Sequence, residues 1–348
     1  MAKKSSYNVA VVGATGAVGQ KVMEILEDRK FPVAELRPLS SKRSAGKKLT
    51  FNNEEVTVQE ATTDSFSNID IAFFSAGGAI TEQLSKAAVE SGAVVIDNTS
   101  AFRMDKDVPL VVPEVNPEAL ESHKGIIANP NCSTIQMVAA LNPIKEAFGL
   151  SRIVVSTYQA VSGAGWAANE ELKNQTQQYL NEEEMVAEIL PAGSDKKHYP
   201  IAFNALPQID VFTENGYTAE EMKMINETKK IMSNPDLSVA ATCVRLPVIN
   251  SHAESIYIEV DNDDVSVKDI QDAIKGGKGV VLQDDPSTQT YPTPLSAADK
   301  YDVFVGRIRE DLDNKKGFHL WVVTDNLVKG AALNTVQIAE TLLEKDLK

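Results

Sequence analysis

Cysteine is almost absent from this chain: Cys132 and Cys243 are the only two among 348 residues. Two cysteines cannot build a disulfide framework or a cysteine-rich zinc site, and four scattered histidines do not supply a ligand cluster, so no metal is expected and a reducing compartment fits best. Long apolar runs are missing too. No stretch approaches the roughly 20 residues that span a bilayer, and the run NVAVV behind Lys3 and Lys4 is too short for a secretory signal core, which leaves a cytoplasmic location as the expectation. Positive charge is in deficit, with 34 Lys and Arg against 49 Asp and Glu and a net charge of -15. Nucleic acid and anionic membranes, which are bound through clustered basic residues, are thereby excluded as main partners. An anionic substrate has to be met by cations placed locally.

What is present is the composition of an ordinary globular protein, 43% hydrophobic and 24% charged, at a length that suits two domains. The first third alternates short apolar runs (YNVAVVG, DIAFFSAGG, AVVIDNTS, GIIANPNC) with helical patterns such as Val18, Val22, Ile25 and Leu26, which predicts βαβ units and a mostly parallel sheet. From about residue 150 the runs lengthen and become richer in β-branched residues (RIVVSTYQAV, VAATCVRLPVI, ESIYIEVD, VFVGRIRED, FHLWVVTD), with helical patterns near 167–189, 218–232 and 266–275. That predicts an α+β domain on a mixed or antiparallel sheet. The acidic stretch NEEE at 181–184 reads as a solvated helix start, and the closing stripe of Ala332, Val336, Ala339, Leu342 and Leu343 reads as a helix able to cap either domain.

VAVVGATGAVG places Gly13, Gly16 and Gly19 between a buried-type strand and an amphipathic helix. There glycines allow a tight turn, close approach of backbone to a pyrophosphate and tight helix packing, while the helix N-terminus favours the anion. The spacing G-x-x-G-x-x-G is a variant of the usual fingerprint, and a merely structural turn is the alternative. About 20 residues on, where NAD enzymes place an acid for the ribose, the chain has Glu35 followed by SSKRSAGKK, in which Ser40, Ser41, Lys42, Arg43 and Ser44 suit a 2′-phosphate. NADP is the expected cofactor, against the plainer reading of a solvated basic loop.

The stretch IIANPNCSTIQMV raises a sharper question, because the periodic run Ile135, Val138, Leu141 starts just after Cys132. The cysteine therefore sits at or before a helix N-terminus, with Ser133 or Thr134 as cap and Pro143 kinking or ending the helix. Positive charge at a helix start raises a thiol's thiolate fraction, and the C-terminal edge of a parallel strand is where ligands bind. The bland state of a free cysteine is a small buried hydrophobe, which suits Cys243 inside its alternating strand. A cysteine nucleophile beside a nicotinamide cofactor points to aldehyde chemistry through a thioester.

GATGAVG, FFSAGG, IDNTSAFR, VPLVVPEVN, NPNCSTIQM, STYQAVSGAG, HYPIAFNALPQID, EEMKM, CVRLPVINSHAES and DNLVKGAALNTVQIAE together resemble the aspartate-β-semialdehyde dehydrogenase family of the bacterial type, from first strand to last helix. The resemblance implies an α/β chain with a Rossmann-like parallel-sheet NADP domain, residues 1–131 plus 330–348, and an α+β catalytic and dimerisation domain with a mixed sheet, residues 132–329. It implies reversible, NADP-dependent reductive dephosphorylation of L-aspartyl 4-phosphate to L-aspartate 4-semialdehyde, a branch step toward lysine, threonine, methionine and diaminopimelate, by a homodimer or tetramer. Under it Cys132 is the acyl-thioester nucleophile, His252 the general acid/base and Gln159 an orienting partner. Arg103 and Lys223 hold phosphate with Asn131 nearby, Arg245 clamps the substrate carboxylate, and Glu220 meets its ammonium, with Glu221 left open as the alternative. Thr15, Gly16, Ala17, Val18, Arg43, Ser44, Ser162, Gly163 and Asn326 join Gly13 as cofactor contacts.

Residue chemistry supports several of these roles. Histidine suits proton transfer near neutrality, and His252 differs from His123, His198 and His319 in following a strand that carries Arg245, among Ser251, Glu254 and Ser255. An ordinary surface ion pair is the simpler account of Glu220 and Lys223, three apart on a helix. Two other functions stay open: N-acetyl-γ-glutamyl-phosphate reductase, which shares the chemistry but needs no carboxylate for a free amine, and a non-catalytic NADP-binding module, which gives Cys132 no task.

Overall fold

The apolar runs of the first third become strands β1 (Tyr7–Val12), β2 (Val33–Ser40), β3 (Lys48–Phe51), β4 (Glu54–Thr57), β5 (Gln59–Glu60), β6 (Ile71–Phe74), β7 (Val94–Asp97) and β8 (Ile126–Ala128), with helices α1 (Ala17–Asp28) and α2 (Gly78–Glu90) as crossovers. Six of the strands form a sheet in the order β5-β2-β1-β6-β7-β8, parallel throughout, while β3 and β4 pair as a separate antiparallel ribbon. Parallel neighbours need a crossover of a dozen or so residues, which is why the apolar periodicity switches between 2 and 3.6 along this stretch. Val9, Ala10, Val11 and Val12 are all inaccessible, as expected of a strand covered on both faces. The chain leaves β1 for β2 on one side and reaches β6 on the other, so the strand order reverses at β1, where open α/β sheets bind ligands beyond the carboxyl ends.

Residues 4–347 are described in this computed structural model, and the chain divides into two units, Met1–Asn131 with Ala331–Lys348, and Cys132–Gly330. The second unit runs α3 (Cys132–Phe148), β9 (Arg152–Gln159), α4 (Trp166–Leu180), α5 (Ala219–Ile231), β10 (Ser238–Arg245), β11 (His252–Glu259), α6 (Val267–Gly276), β12 (Val280–Leu282), α7 (Pro294–Ala297), β13 (Val303–Glu310) and β14 (Gly317–Thr324). Its sheet, β10-β9-β11-β14-β13-β12, is mixed: β9–β10 and β12–β13 are parallel and the other pairs antiparallel. Register places Arg245 beside Gln159, and the next pairing beyond Ala253–Tyr158 brings His252 to the same end of the sheet. A π-helical turn, Val328–Leu333, then leads into α8 (Asn334–Glu344), which packs against α1 and β7 in the first unit. Among the described residues no helix is long and apolar enough to cross a membrane.

Three local expectations are corrected. α3 opens at Cys132 itself, so Ser133 and Thr134 lie inside its first turn and do not precede it as caps. Pro143 does not end α3, which continues to Phe148. An internal proline costs about 3 kcal/mol or more, but Ser133 through Asn142 are all buried, and the Pro143 ring is seated so closely on Gly277 that a Cβ there would lie 2.7 Å from its Cγ. Tertiary packing outweighs the local penalty. Finally, NEEE follows a helix instead of starting one: Asn181 caps the C-terminus of α4 and Glu182 has φ of 60°, a left-handed residue that stops the helix.

Candidate active site

In the first unit the glycine turn is sterically obligatory. Gly13 has φ of +91°, and a Cβ on it would stand 2.9 Å from the Ser75 carbonyl carbon; a Cβ on Gly19 would stand 2.2 Å from the Gly13 carbonyl oxygen. Both glycines let backbone pass where no side chain fits. Gly16 caps α1 with no side-chain hydrogen bond, so the first-turn amides of Ala17 and Val18 are left to an outside acceptor. Thr15 Oγ1 lies 2.9 Å from Ser40 Oγ, tying the turn to the end of β2.

The residues fit NADP better than NAD. Glu35 sits at the wrong end of β2, in register with Asn8 near the start of β1, and its carboxylate is held 2.8 Å from Arg37 Nη2. At the carboxyl end of β2, where a ribose-binding acid would stand, there is Ser40, followed by the short turn Lys42–Ser44 with Arg43 exposed and Ser44 buried.

Arg103 is buried. It donates from Nε to the Asn129 carbonyl at 2.9 Å and from Nη2 to the Asn98 carbonyl at 3.0 Å. Asn129 in turn donates to Asn98 Oδ1 at 2.7 Å and accepts from Asn334 of α8 at 2.7 Å. Asn129 was not singled out from the sequence, although it belongs to the same Asn-Pro-Asn triplet as Asn131, which is also buried.

In the second unit Cys132 is partly exposed at the mouth of α3, whereas Cys243 is inaccessible and its thiol is pushed far up by burial. Gly330 makes room for the first: a Cβ there would stand 2.8 Å from Cys132 Cβ. The Arg245 guanidinium lies within the electrostatic reach of the Cys132 sulfur. Arg245 is 4% exposed and anchored by Nη1 to the Ala160 carbonyl at 2.8 Å, while its Nε has no partner. A buried guanidinium with a donor left over is prepared for a planar anion.

His252 is fully buried. Its Nδ1 accepts the Ala160 N–H at 3.0 Å, which leaves the hydrogen of the neutral ring on Nε2, and Nε2 has no hydrogen-bond partner. A Cβ on Gly163 would stand 2.9 Å from Arg245 Nη1 and 3.4 Å from His252 Nε2, so this glycine is what keeps the space before both groups open. Burial first, and then the Arg245 charge, lower the His252 pKa to about 3. The imidazole is therefore a neutral N–H donor at physiological pH.

The sign of the resulting pH dependence follows. Between its ordinary value of 6.5 and about 3 this histidine takes a proton in the unfolded chain but not in the folded one, so its contribution is fully present above 6.5 and is lost as pH falls. Denaturant unfolding of wild type against His252→Asn should show a difference that shrinks on acidification with a slope approaching about 1.4 kcal/mol per pH unit. Parallel curves would show that the ring is not held neutral.

Around this pair, Gln159 Nε2 donates to Glu220 Oε1 at 3.2 Å and Glu220 Oε2 accepts from Lys223 Nζ at 3.2 Å; Lys223 also bonds Asp210 at 2.8 Å. Glu221 points elsewhere: its two oxygens accept the Thr218 and Cys243 backbone N–H groups, the first as part of a capping box on α5. Of the acidic doublet, only Glu220 faces Gln159. Asn326, 2% exposed, accepts the Ser251 N–H at 2.9 Å and bonds Ser162 Oγ, bracing the residue before His252, which has φ of 75°.

Known proteins share this arrangement of chain and fold. Residues 8–123 match the family model for a semialdehyde dehydrogenase NAD binding domain and residues 141–329 that for a semialdehyde dehydrogenase dimerisation domain. The chain is 65% identical to the aspartate-semialdehyde dehydrogenase of Bacillus subtilis (strain 168), covering 98% of both chains. Its structure superposes on aspartate semialdehyde dehydrogenase II complexed with ASA from Vibrio cholerae with a TM-score of 0.92 at 48% identity, covering 98% of this chain and 99% of that one. The aspartate semialdehyde dehydrogenase with NADP from Candida albicans gives a TM-score of 0.76 at 28% identity, covering 99% and 100%. Matched from end to end in sequence and in fold, the chain belongs to the aspartate-semialdehyde dehydrogenase family.

Proposed function

We propose that this protein interconverts L-aspartyl 4-phosphate and L-aspartate 4-semialdehyde, with NADP and inorganic phosphate, through a thioester on Cys132. The observation that carries the reading is the group at one end of the second sheet: a partly exposed thiol at a helix mouth, a buried guanidinium with an unused donor, and a neutral imidazole with a bare Nε2–H. In the biosynthetic direction the Cys132 thiolate attacks the acyl-phosphate carbon, and phosphate leaves to give the thioester. When bound, NADPH supplies the hydride that reduces this acyl group. His252, expected as the general acid/base, acts in this reading through its Nε2–H, which donates to the oxygen that turns anionic at each tetrahedral stage, the task of an oxyanion-hole donor. The sulfur then leaves, returning to thiolate as the aldehyde forms.

Arg245 orients the substrate by its α-carboxylate, and Glu220, held by Gln159 and Lys223, receives the ammonium. A free ammonium gives Glu220 a partner that an acetylated amine could not, which favours the aspartyl substrate over the N-acetyl one. Arg103, Asn131 and Lys223 are assigned to phosphate, and Ser162, Gly163 and Asn326 to the cofactor alongside Gly13, Thr15, Gly16, Ala17, Val18, Arg43 and Ser44. A homodimer follows from the match of residues 141–329 to a dimerisation domain. The two free cysteines and the biosynthetic role suit the cytoplasm.

The test is to expose the protein to semialdehyde and NADP without phosphate and map the acyl adduct by peptide mass; the expected adduct is on Cys132, and its absence there rejects the mechanism. For the cofactor, Arg43→Glu sets a like charge against the 2′-phosphate. The NADP to NAD ratio of kcat/KM should fall by at least about tenfold, about 1.4 kcal/mol or more, and an unchanged ratio removes Arg43 from the cofactor site.

A further inference from the structure

Beneath Cys132 and His252 lies a second polar layer for which the reaction has no evident use. Gln136 is four residues after Cys132 on α3, one helical turn along the same face, and Glu254 is two residues after His252 on β11, on the same face of the strand. Both side chains are inaccessible. Neither carboxyl oxygen of Glu254 and neither polar atom of the Gln136 amide has a hydrogen-bond partner. Glu254 stands in register with Thr157 of β9, which is in turn beside Cys243 of β10, so no cation flanks it along its row. Burial pushes its carboxyl well above the ordinary range, and the neighbouring Gln136 amide, close but outside hydrogen-bonding geometry, draws it back only in part.

Hydrocarbon at these two positions would cost less than two buried polar groups. What a carboxylic acid and an amide add is direction: one offers an O–H donor and a carbonyl, the other an NH2 and a carbonyl, so that a bond closing between them would fix both the rotation of α3 about its axis and its shift along β11. We propose that Glu254 and Gln136 are positioning residues that set the Cys132 sulfur against the His252 ring. The proposal rests on the assignment of those two residues in the function above.

The test compares Glu254→Gln, Glu254→Leu, Gln136→Leu and the exchange Gln136→Glu with Glu254→Gln, measuring kcat, KM and the pH dependence of iodoacetamide alkylation at residue 132. Glu254→Gln and the exchange should keep kcat within about threefold and leave the alkylation profile in place, because each retains a neutral polar pair. The two leucine variants should lose at least about tenfold in kcat with KM changed less than about threefold, the pattern of a defect confined to the reacting geometry, and their alkylation midpoint should move. Leucine variants with wild-type kcat and profile overturn the proposal, as does a Glu254→Gln protein damaged like Glu254→Leu, which would make the carboxyl an ionised participant. Should the leucine variants fail to fold, the glutamine variant and the exchange decide alone. Failure of the nucleophile assignment shows separately, as wild-type label found on a residue other than Cys132.

Discussion

Cys132→Ala should lower phosphate-dependent turnover by at least about 10³-fold, the usual scale for loss of a covalent nucleophile, with NADP binding retained. The expectation comes from the contrast between the two thiols. Cys243 is sealed in the sheet, with the Cys243 N–H held by Glu221 and its thiol made hard to ionise by burial and by surrounding carboxylates. Cys132 is partly open, begins a helix whose amides face it, and lies in the field of Arg245. Cofactor contacts made by the glycine turn of the first unit do not involve the sulfur, so fluorescence titration with NADPH should give a Kd within about threefold of wild type; the same nucleophile logic that sets the turnover loss leaves binding alone. A Cys132→Ala protein with ordinary activity would return the chain to the class of NADP-binding modules.

Arg245→Lys should cost about 100-fold in kcat/KM for the semialdehyde, within the range for removing one partner of a buried, hydrogen-bonded charge pair. Most of the loss should fall on KM. Arginine does two things at once here: Nη1 is spent on the Ala160 carbonyl, and the rest of the fork remains for the substrate. An ammonium in the same buried place can satisfy the carbonyl or the substrate carboxylate, not both, and loses its proton more readily when desolvated. Steady-state kinetics at saturating NADP and phosphate measures the split, and an unchanged KM would remove Arg245 from substrate binding.

Much of this fold was legible because its signals are local. The run NVAVV, the glycines after it and the helical stripe of α1 lie within twenty-two residues of one another, and each obeys a rule of period or turn chemistry. Thr218-x-x-Glu221 is also a local signal, a capping box that could have assigned Glu221 to its helix and left Glu220 for other duty. Glu254 and Gln136 could have been found by counting two along a strand from His252 and four along a helix from Cys132. That α3 would not end at Pro143 was out of reach because the proline's penalty is local and its compensation, the close seat on Gly277, is not. The state of His252 was out of reach for the same reason: its tautomer is set by an amide 92 positions away, and its basicity by burial that only the assembled sheet creates.

The sequence break in the first unit has a consequence for how the chain is made. Synthesis proceeds from the N-terminus and domains tend to fold as they emerge, yet the six-stranded sheet that ends at β8 lacks α8 until Asn334–Glu344 have been translated. Until then Asn129 and the Val111 carbonyl have no Asn334 amide to hold them. The first unit therefore emerges still missing one wall, and the loop leading to Cys132 gains its final brace only when α8 follows.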